Sequence, residues 1–293
     1  IAINRLFVRR CRQTLDIAPF AGKPILAAYL RRWDIENISL ILSAKAQGRL
    51  VSESEAFLVS SREIPAGLFA GAMTLDDFRG LLQEPTLEGM AQQLVRYGYG
   101  GVVLTRLDAY AQSKDIFPIL QALDADYYAR LNEAIRFFQG DEWNIRLFVQ
   151  SEIDVRNALL LLKGKAAALD ADIVLERFID GGSLPRASAA DAFGARDVPE
   201  LVTALAPRFP ALPDGLPPFQ ADGTLAGFES ALVRERAIRE LRRMRSYPLS
   251  LAVLFMFLLE AELERTDLRR IVYGHQYGVP PATLVEQLIV PKL

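Results

Sequence analysis

The sequence contains very few of the residues on which most protein chemistry depends. Its 293 residues include one histidine, His275, and one cysteine, Cys11. A single histidine leaves little room for a zinc site or a Ser-His-Asp triad. A single cysteine cannot form an internal disulfide, which fits a reducing compartment. The sequence also has no phosphate-binding loop of the GxxxxGK[ST] type and no CxxC pair, so most familiar catalytic classes are excluded.

A charge surplus and a long apolar run are missing as well. The 34 Lys and Arg residues are balanced by 36 Asp and Glu, so the chain lacks the basic surplus that is typical of nucleic-acid-binding proteins. The longest apolar run, 251–259, is far shorter than the roughly 20 residues of a membrane-spanning helix. We therefore expect no nucleic-acid partner, no direct membrane span and a cytoplasmic protein, and we interpret the run as part of a core helix.

Apolar residues recur mostly at the spacing of α-helices. The pattern is clearest over 25–33, 147–161 and 225–241. Segment 99–104 is the best strand candidate, although its glycines equally favour a turn that leads into a helix. The proline-rich segment 205–223 is interpreted as a loop or linker. Together these patterns predict an all-α fold.

A long internal repeat is the most informative feature of the sequence. Its first motif is Asp34-Ile35-Glu36-Asn37, then Asp154-Val155-Arg156-Asn157, then a degenerate Glu264-Arg265-Thr266-Asp267. The spacing from Asn37 to Asn157 is 120 residues and that from Asn157 to Asp267 is 110. These spacings greatly exceed the 20–50 residues of solenoid repeats. They predict three similar domains.

A second motif follows the first two copies, at 64–68 and 179–184, but no such motif follows the third copy. The first residue is Ile1 rather than Met, so we expect that native N-terminal residues precede it and complete the third unit. The predicted domains are 1–113, 114–222 and 223–293.

The first motif allows two interpretations. On a helix, Asp34, Asn37 and Lys45 fall in one sector and interrupt an apolar stripe. This is typical either of a carboxylate metal or acid–base site or of a half-buried polar network that fixes the helix register. Three copies of one pattern favour the network. His275 takes the position of Lys45 and Lys165, where a cation can interact with the negative end of the helix dipole.

Two acidic pairs suggest a competing hypothesis, a magnesium-dependent helical enzyme. Asp76, Asp77, Asp124 and Asp126 could ligate Mg²⁺ if the fold brings them together. However, Thr74 before Asp76 and Asp77 is also typical of an ordinary helix start. We therefore predict no catalytic residue, no cofactor-binding residue and no metal ligand.

Six arginines within 234–245 form a basic stripe on one predicted helix. Such a stripe is either a solvated face or a contact for an acidic partner surface. The candidate partner contacts are Arg236, Arg239 and Arg243.

The combination and order of these motifs resemble the C subunit of archaeal and bacterial A/V-type rotary ATPases, the relative of the eukaryotic V-ATPase d subunit. Segment 178–184 resembles the family's F-I-x-G-G-x-L turn, and the first motif resembles its acid-x-x-Asn-Leu helix. Thr266-Asp267 and His275 depart from the usual Arg-Asn and Lys. Further segments that carry the likeness are 247–251, 260–263, 268–271 and 277–281.

The resemblance implies a funnel-shaped, all-helical body with three domains around a pseudo-threefold axis. It implies a non-catalytic rotor component that binds no nucleotide, lies peripherally on the membrane complex and transmits torque. Its implied partners are the D and F subunits of the central shaft and the membrane proteolipid ring. The alternative is a helical scaffold or adaptor protein unrelated to rotary ATPases.

Overall fold

The protein folds almost entirely into helices. A computed structural model describes residues 1–49, 55, 58–59, 65–138 and 142–289. These residues form no β-strand, and a single isolated antiparallel bridge pairs Val59 with Pro65 among them. The all-α prediction is confirmed. No helix in these ranges is long and apolar enough to cross a membrane.

The chain divides into two compact units, Ile1–Gln139 and Gly140–Leu293. In unit 1 the structure describes the α-helices α1 (Ala2–Ile17), α2 (Lys23–Leu30), α3 (Arg32–Ala46), α4 (Leu75–Gln83), α5 (Leu87–Val95), α6 (Gly100–Leu104), α7 (Leu107–Ser113) and α8 (Phe117–Phe137). Those of unit 2 are α9 (Glu142–Ala166), α10 (Ala171–Glu176), α11 (Arg186–Phe193), α12 (Val198–Leu205), α13 (Leu216–Asp222), α14 (Ala226–Arg245), α15 (Ala252–Gln276) and α16 (Pro281–Gln287). The three domains predicted from the repeat stay a prediction.

The core of unit 1 forms where α8 packs against α2, α3 and α6. Tyr29, Ile38 and Leu131 are buried there, as the helical spacing of the apolar residues predicts. Phe7 of α1 meets Trp33 of α3 edge to face, with ring centroids 5.1 Å apart. These contacts anchor α3 in the core of unit 1.

The core of unit 2 forms where α14 packs against α9 and α15. Phe148 of α9 and Phe255 of α15 are fully buried, with ring centroids 5.6 Å apart. The apolar run 251–259 lies at the start of α15, where Leu258 and Leu259 are also buried. Its interpretation as a core helix segment is confirmed.

The start of α4 follows the sequence prediction. Thr74 caps the helix by accepting a hydrogen bond from the Asp77 backbone N–H, and the Asp77 carboxylate accepts one from the Thr74 backbone N–H. This reciprocal capping box satisfies two N–H groups that would otherwise lack partners at the helix end. It also fixes where the preceding loop ends.

The structure decides two local interpretations of the sequence. For segment 99–104 the strand is wrong and the turn that leads into a helix is confirmed, because Gly98 turns at φ +86° and α6 begins at Gly100. A Cβ at Gly100 would collide with the backbone of α5, so this glycine allows the two short helices to pack closely.

Segment 205–223 is not a loop throughout, since it contains a 3-10 helix (Leu212–Gly215) and α13. Three of its five prolines, Pro213, Pro217 and Pro218, stand in the first turns of these helices, where the missing N–H has no helical partner to lose. The 3-10 helix packs against α14.

Candidate functional site

Asp34 and Asn37 of α3 bind the loop that leads into α4. The Asp34 carboxylate accepts hydrogen bonds from the backbone N–H groups of Ala72 at 2.7 Å and Met73 at 3.2 Å. The Asn37 side-chain amide donates to the carbonyl oxygen of Leu68 at 3.1 Å. Both polar side chains are buried. An acidic and an amide side chain on one helix thus bind the backbone of the loop that follows. We call this set of contacts the helix–loop clasp.

Tyr99 is a third donor to the Asp34 carboxylate. Its hydroxyl donates to Oδ2 at 2.8 Å. Burial raises the pKa of Asp34 from 3.8 to about 6, although the hydrogen bonds from Ala72, Tyr99 and Met73 oppose the rise. Burial and the negative charge of Asp34 also raise the pKa of Tyr99 above its ordinary value, so the phenol keeps its proton. Asp34 therefore changes charge near pH 6 while its aromatic donor does not.

Unit 2 contains a second helix–loop clasp, built by Asp154 and Asn157 of α9. Asp154 accepts hydrogen bonds from the backbone N–H of Leu184 at 2.9 Å and from the Ser183 hydroxyl. The Asn157 amide donates to the carbonyl of Ile179 at 2.8 Å and accepts from its N–H at 2.9 Å. The first motif of the sequence thus performs the same task in each unit.

Each of these two clasps requires a glycine at one loop position. A Cβ on Gly71 would collide with the Asp34 carboxylate, and a Cβ on Gly182 would collide with that of Asp154. Both residues directly precede the first donor to the acid, so the loop backbone can approach the helix only where the side chain is absent.

The hydrogen bonds also correct the register of the second sequence motif. Leu68 and Ile179 each bind the asparagine of their clasp, and Met73 and Leu184 each bind its acid. Segment 68–73 therefore corresponds to 179–184. The repeat pattern in the sequence placed 64–68 in that position, four residues too early. Residue 64 itself lies outside the described residues.

The degenerate third copy retains part of the clasp. Asp267 of α15 is buried and accepts from the backbone N–H of Ile289 at 2.9 and 3.0 Å. The two residues are 22 positions apart, the same separation as that of Asn157 and Ile179. A carboxylate in place of the amide keeps the acceptor and loses the donor. Asp267 therefore takes the place of Asn157 in the structure as well as in the sequence repeat.

The basic residues that follow each motif lie near helix ends. Lys165 donates to the carbonyl oxygen of Ala195 at 2.7 Å and lies over the Phe193 ring, 4.1 Å from its centroid. His275 is exposed in the last turn of α15, where its position fits the predicted interaction with the helix dipole. Neither residue faces a catalytic partner of the kind that a triad requires among the described residues.

The polar motif is a structural network, as the sequence favours, but it holds a loop to a helix rather than two helices in register. The competing magnesium hypothesis is not supported. Asp76 and Asp77 lie on α4, where Asp77 caps the helix and pairs with Arg96 at 2.8 Å, whereas Asp124 and Asp126 lie on α8. Within the described ranges, no three His, Cys, Asp or Glu side chains are grouped so that they could hold a metal ion.

The arginines of α14 differ sharply in exposure. Arg236 is buried, pairs with Glu152 of α9 at 3.1 Å and donates to the Ser151 hydroxyl at 3.2 Å. Its guanidinium also lies 4.8 Å from the centroid of the Phe148 ring. The guanidinium of Arg236, a predicted partner contact, therefore lies inside unit 2 rather than on its surface.

Arg243 is partly buried and serves the same helix pair. Its guanidinium donates to the Asn144 carbonyl of α9 at 3.0 Å and pairs with Glu240. Burial lowers the pKa of Arg243 from its ordinary value, against the opposing effect of Glu240. The Asn144 amide is fully buried, and neither its nitrogen nor its oxygen has a hydrogen-bond partner in the described structure.

Arg239 and Arg242 are the exposed charges near the middle of the stripe. Arg239 contacts Glu235 at 3.5 Å and Glu240 at 3.4 Å. The Arg242 guanidinium makes no hydrogen bond or ion pair with the described residues. Sequence reasoning selected Arg236 and omitted Arg242, although the helical phase of the buried Phe228 and Leu232 already places 236 on the core face.

Comparison with known proteins identifies sequence relatives along nearly the whole chain. A family model described as the ATP synthase (C/AC39) subunit matches residues 1–287. The A-type ATP synthase C subunit of Thermoplasma volcanium is 34% identical over 289 residues, which cover 99% of this chain and 81% of that protein. Its counterpart in Thermoplasma acidophilum is 35% identical over 293 residues, with coverages of 100% and 82%. The corresponding C subunit of Haloferax volcanii is 26% identical over 294 residues, with coverages of 99% and 80%.

Proposed function

The chain belongs to the ATP synthase (C/AC39) subunit family, and from this premise we propose that it is a non-catalytic central-stalk component of an A-type ATP synthase. In this role it links a shaft of D and F subunits to the membrane proteolipid ring and transmits torque between them. The observation that carries the proposal is the family match over residues 1–287.

The packing of each unit suits a mechanical coupling. Closely packed helices resist deformation, because side chains in a dense interior have few alternative arrangements. The two complete clasps add hydrogen bonds that tie a loop to a core helix in each unit. A loop held in this way moves with its helix, which a torque-bearing body requires.

The chemistry of the buried acids also supports a non-catalytic role. The carboxylates of Asp34, Asp154 and Asp267 accept hydrogen bonds from backbone N–H groups of their own unit. These hydrogen bonds give the three carboxylates a structural role. The proposed stalk component binds no nucleotide and no cofactor.

The proposed arrangement is a funnel of three similar domains around a pseudo-threefold axis, peripheral to the membrane on the cytoplasmic side. The three helix–loop motifs at 34–37, 154–157 and 264–267 motivate it. In an experimental structure of the assembled complex, rotations near 120° should relate the helices that bear Asn37, Asn157 and Asp267.

The proposed partner contact on α14 rests on its outward charges. Arg239 is exposed and can meet an acidic surface directly, whereas Arg236 and Arg243 act from within by holding α14 against α9. Charged groups at the rim of an interface mainly steer association and select the partner.

A binding experiment tests the linking role. The full-length protein is immobilised and incubated separately with purified proteolipid ring and with the purified D–F shaft, with a heat-unfolded sample as the control. Retention of both partners by the folded protein alone is expected. Retention of neither would contradict the linking role and favour the alternative, a helical adaptor.

A further inference from the structure

A groove runs along one face of α14 within unit 2. Its volume is about 1200 Å³, which exceeds the roughly 300–1,000 Å³ of typical small-molecule pockets. Pro218 of α13 and Ala211 form one wall, and Arg270 of α15 and Gln287 of α16 form the other. We call this surface the α14 groove.

The floor of the α14 groove has the shape that an α-helix needs. It follows α14 from Ala226 to Arg242, a length of about 24 Å at 1.5 Å per residue, or four to five helical turns. Ser230 and Ala231 occupy its first half, and such small residues let another backbone approach closely. Gly227, in contrast, already packs against Pro218 and Gly215 of the same unit.

The second half of the α14 groove is basic. Four arginines line it against two carboxylates, Asp214 and Glu235. Glu235 is already engaged, since it accepts from the Ala211 N–H at 2.9 Å and from Arg239. The four arginines are Arg234, Arg239, Arg242 and Arg270.

Two of these arginines also fix the far wall. Arg234 donates to the Leu288 carbonyl at 3.0 Å, and Arg270 donates to the Gln287 carbonyl at 2.6 Å and lies 3.6 Å from the Asp267 carboxylate. Arg242 makes no hydrogen bond or ion pair with the described residues, so its donors are available to a ligand. The charges best placed for a partner are therefore those of Arg239 and Arg242.

We propose that the α14 groove binds an acidic, amphipathic helix of another subunit, with its small or apolar stripe on Ser230 and Ala231 and its carboxylates opposite Arg239 and Arg242. This inference rests on the proposed function and deepens it, because it assigns one partner contact to a defined surface. A helix laid in a groove buries an apolar face and leaves its charges at the edges, where arginines pair with carboxylates in a bidentate way. An anionic lipid headgroup would match the arginines but would leave the floor of small residues empty.

Site-specific photocrosslinking in the purified, assembled ATP synthase tests this assignment. A photoreactive amino acid replaces Ser230 on the groove floor, and in a control chain it replaces Ala204, which is exposed on α12 outside the groove. Mass spectrometry then identifies the crosslinked peptide. The expected product at position 230 is a helical peptide of another subunit with at least two carboxylates within two turns, absent from the control.

A lipid adduct, a peptide of this chain itself, a peptide without carboxylates, or no adduct at position 230 in a complex that contains the variant chain would each overturn the assignment. Because the complex itself is isolated with the chain in place, these outcomes differ from a failure of the proposed function, in which the unmodified chain would not assemble at all.

Charge reversal provides an independent measurement. Arg239→Glu with Arg242→Glu should weaken binding to the complex stripped of this chain by about tenfold or more, with the loss shrinking at high salt. The matched control reverses two exposed arginines outside the groove, Arg106→Glu with Arg146→Glu. Circular dichroism verifies that both double variants remain folded. Equal affinities of the two folded double variants would contradict the groove as a binding site.

Discussion

Individual buried acids stabilise loops of this protein. A carboxylate removed from water is costly unless hydrogen bonds replace its hydration. Asp34 and Asp154 are almost completely buried, and the N–H groups of their loops supply those bonds. The loops benefit equally, because a backbone N–H without a partner is itself unfavourable in an interior. Each acid and its loop are therefore stable only together.

The raised pKa of Asp34 predicts a specific dependence of stability on pH. Between pH 3.8 and about 6 the folded protein holds a proton on Asp34 that the unfolded chain has lost. This contribution to stability is fully present below pH 3.8 and is lost as the pH rises through 6. The difference between the two pKa values corresponds to about 3 kcal/mol. The unfolding free energy of the wild type, minus that of Asp34→Asn, should fall by up to this amount as the pH rises from about 4 to about 7.

Urea denaturation at one-unit pH steps measures this difference, because all other titrations are shared by the two proteins and cancel. Asp191→Asn serves as a control, since Asp191 is exposed on α11 and its variant should show no such trend. A difference between wild type and Asp34→Asn that stays flat or rises with pH would contradict the role of burial at Asp34.

Gly182 should be intolerant of the smallest possible side chain. Its Cβ would collide with the Asp154 carboxylate, so Gly182→Ala must displace the loop or the acid. We expect a loss of about 1–3 kcal/mol in unfolding free energy, the usual cost of overpacking. Gly101→Ala is the control, because a Cβ there has open space and alanine favours the helix α6. Equal stability of the two variants in thermal denaturation would show that the clasp loop accommodates a Cβ at position 182.

At the scale of secondary-structure elements, α14 is held to α9 by charge as well as by apolar packing. The buried pair of Arg236 and Glu152 joins the two helices at 3.1 Å. Removing one partner deprives the other buried charge of this ion pair, which costs about 3–5 kcal/mol, whereas replacing both by apolar residues can be nearly neutral.

We therefore predict that Arg236→Met strongly destabilises the protein and that adding Glu152→Leu restores much of the loss. Arg242→Met, on the exposed face of the same helix, should change the unfolding free energy by no more than about 0.5 kcal/mol. Denaturant unfolding of these three variants and of the single change Glu152→Leu measures both effects. A double variant as unstable as the sum of its single changes would mean that the two charges act independently.

The elements also show what a sequence can and cannot predict. Apolar spacing predicts the long helices α9 and α14, because burial of one face repeats at every turn. The start of α15 is predicted by its apolar run, 251–259. The first motif was found because its acid and amide stay at fixed spacing within a helix. The helical phase of Phe228 and Leu232 indicates the burial of Arg236, but its partner Glu152 lies 84 positions away, and no local pattern links the two charges.

The loops were less predictable than the helices for a physical reason. Backbone N–H and C=O groups of the clasp loops make most of the contacts with the acid and the amide, so these contacts leave little trace in the sequence. The glycine beside each acid does leave one, and Gly71 and Gly182 would have aligned 68–73 with 179–184 correctly. Prolines similarly misled the prediction for 212–222, since they start helices as readily as they end them.

At the scale of the whole molecule, a torque-transmitting body must not yield between its contacts. Under the proposed function, a loosened clasp lets part of unit 2 deform under load, so nucleotide hydrolysis by the complex continues while ion transport lags behind. Asp154→Ala removes the acceptor for Leu184 and Ser183 and should lower the number of ions transported per ATP hydrolysed, with hydrolysis itself reduced much less. Complexes reconstituted in vesicles allow both rates to be measured on one sample.

Asp191→Ala makes the same chemical change on an exposed position of α11 and should leave the ratio of transport to hydrolysis unchanged. Gel filtration must first show that each variant chain remains in the complex, because its detachment would also abolish transport. With the chain retained, a parallel fall of both rates would mean that the clasp contributes to stability alone. A fall in transport without a matching fall in hydrolysis would tie the buried acid to the stiffness that rotary coupling demands.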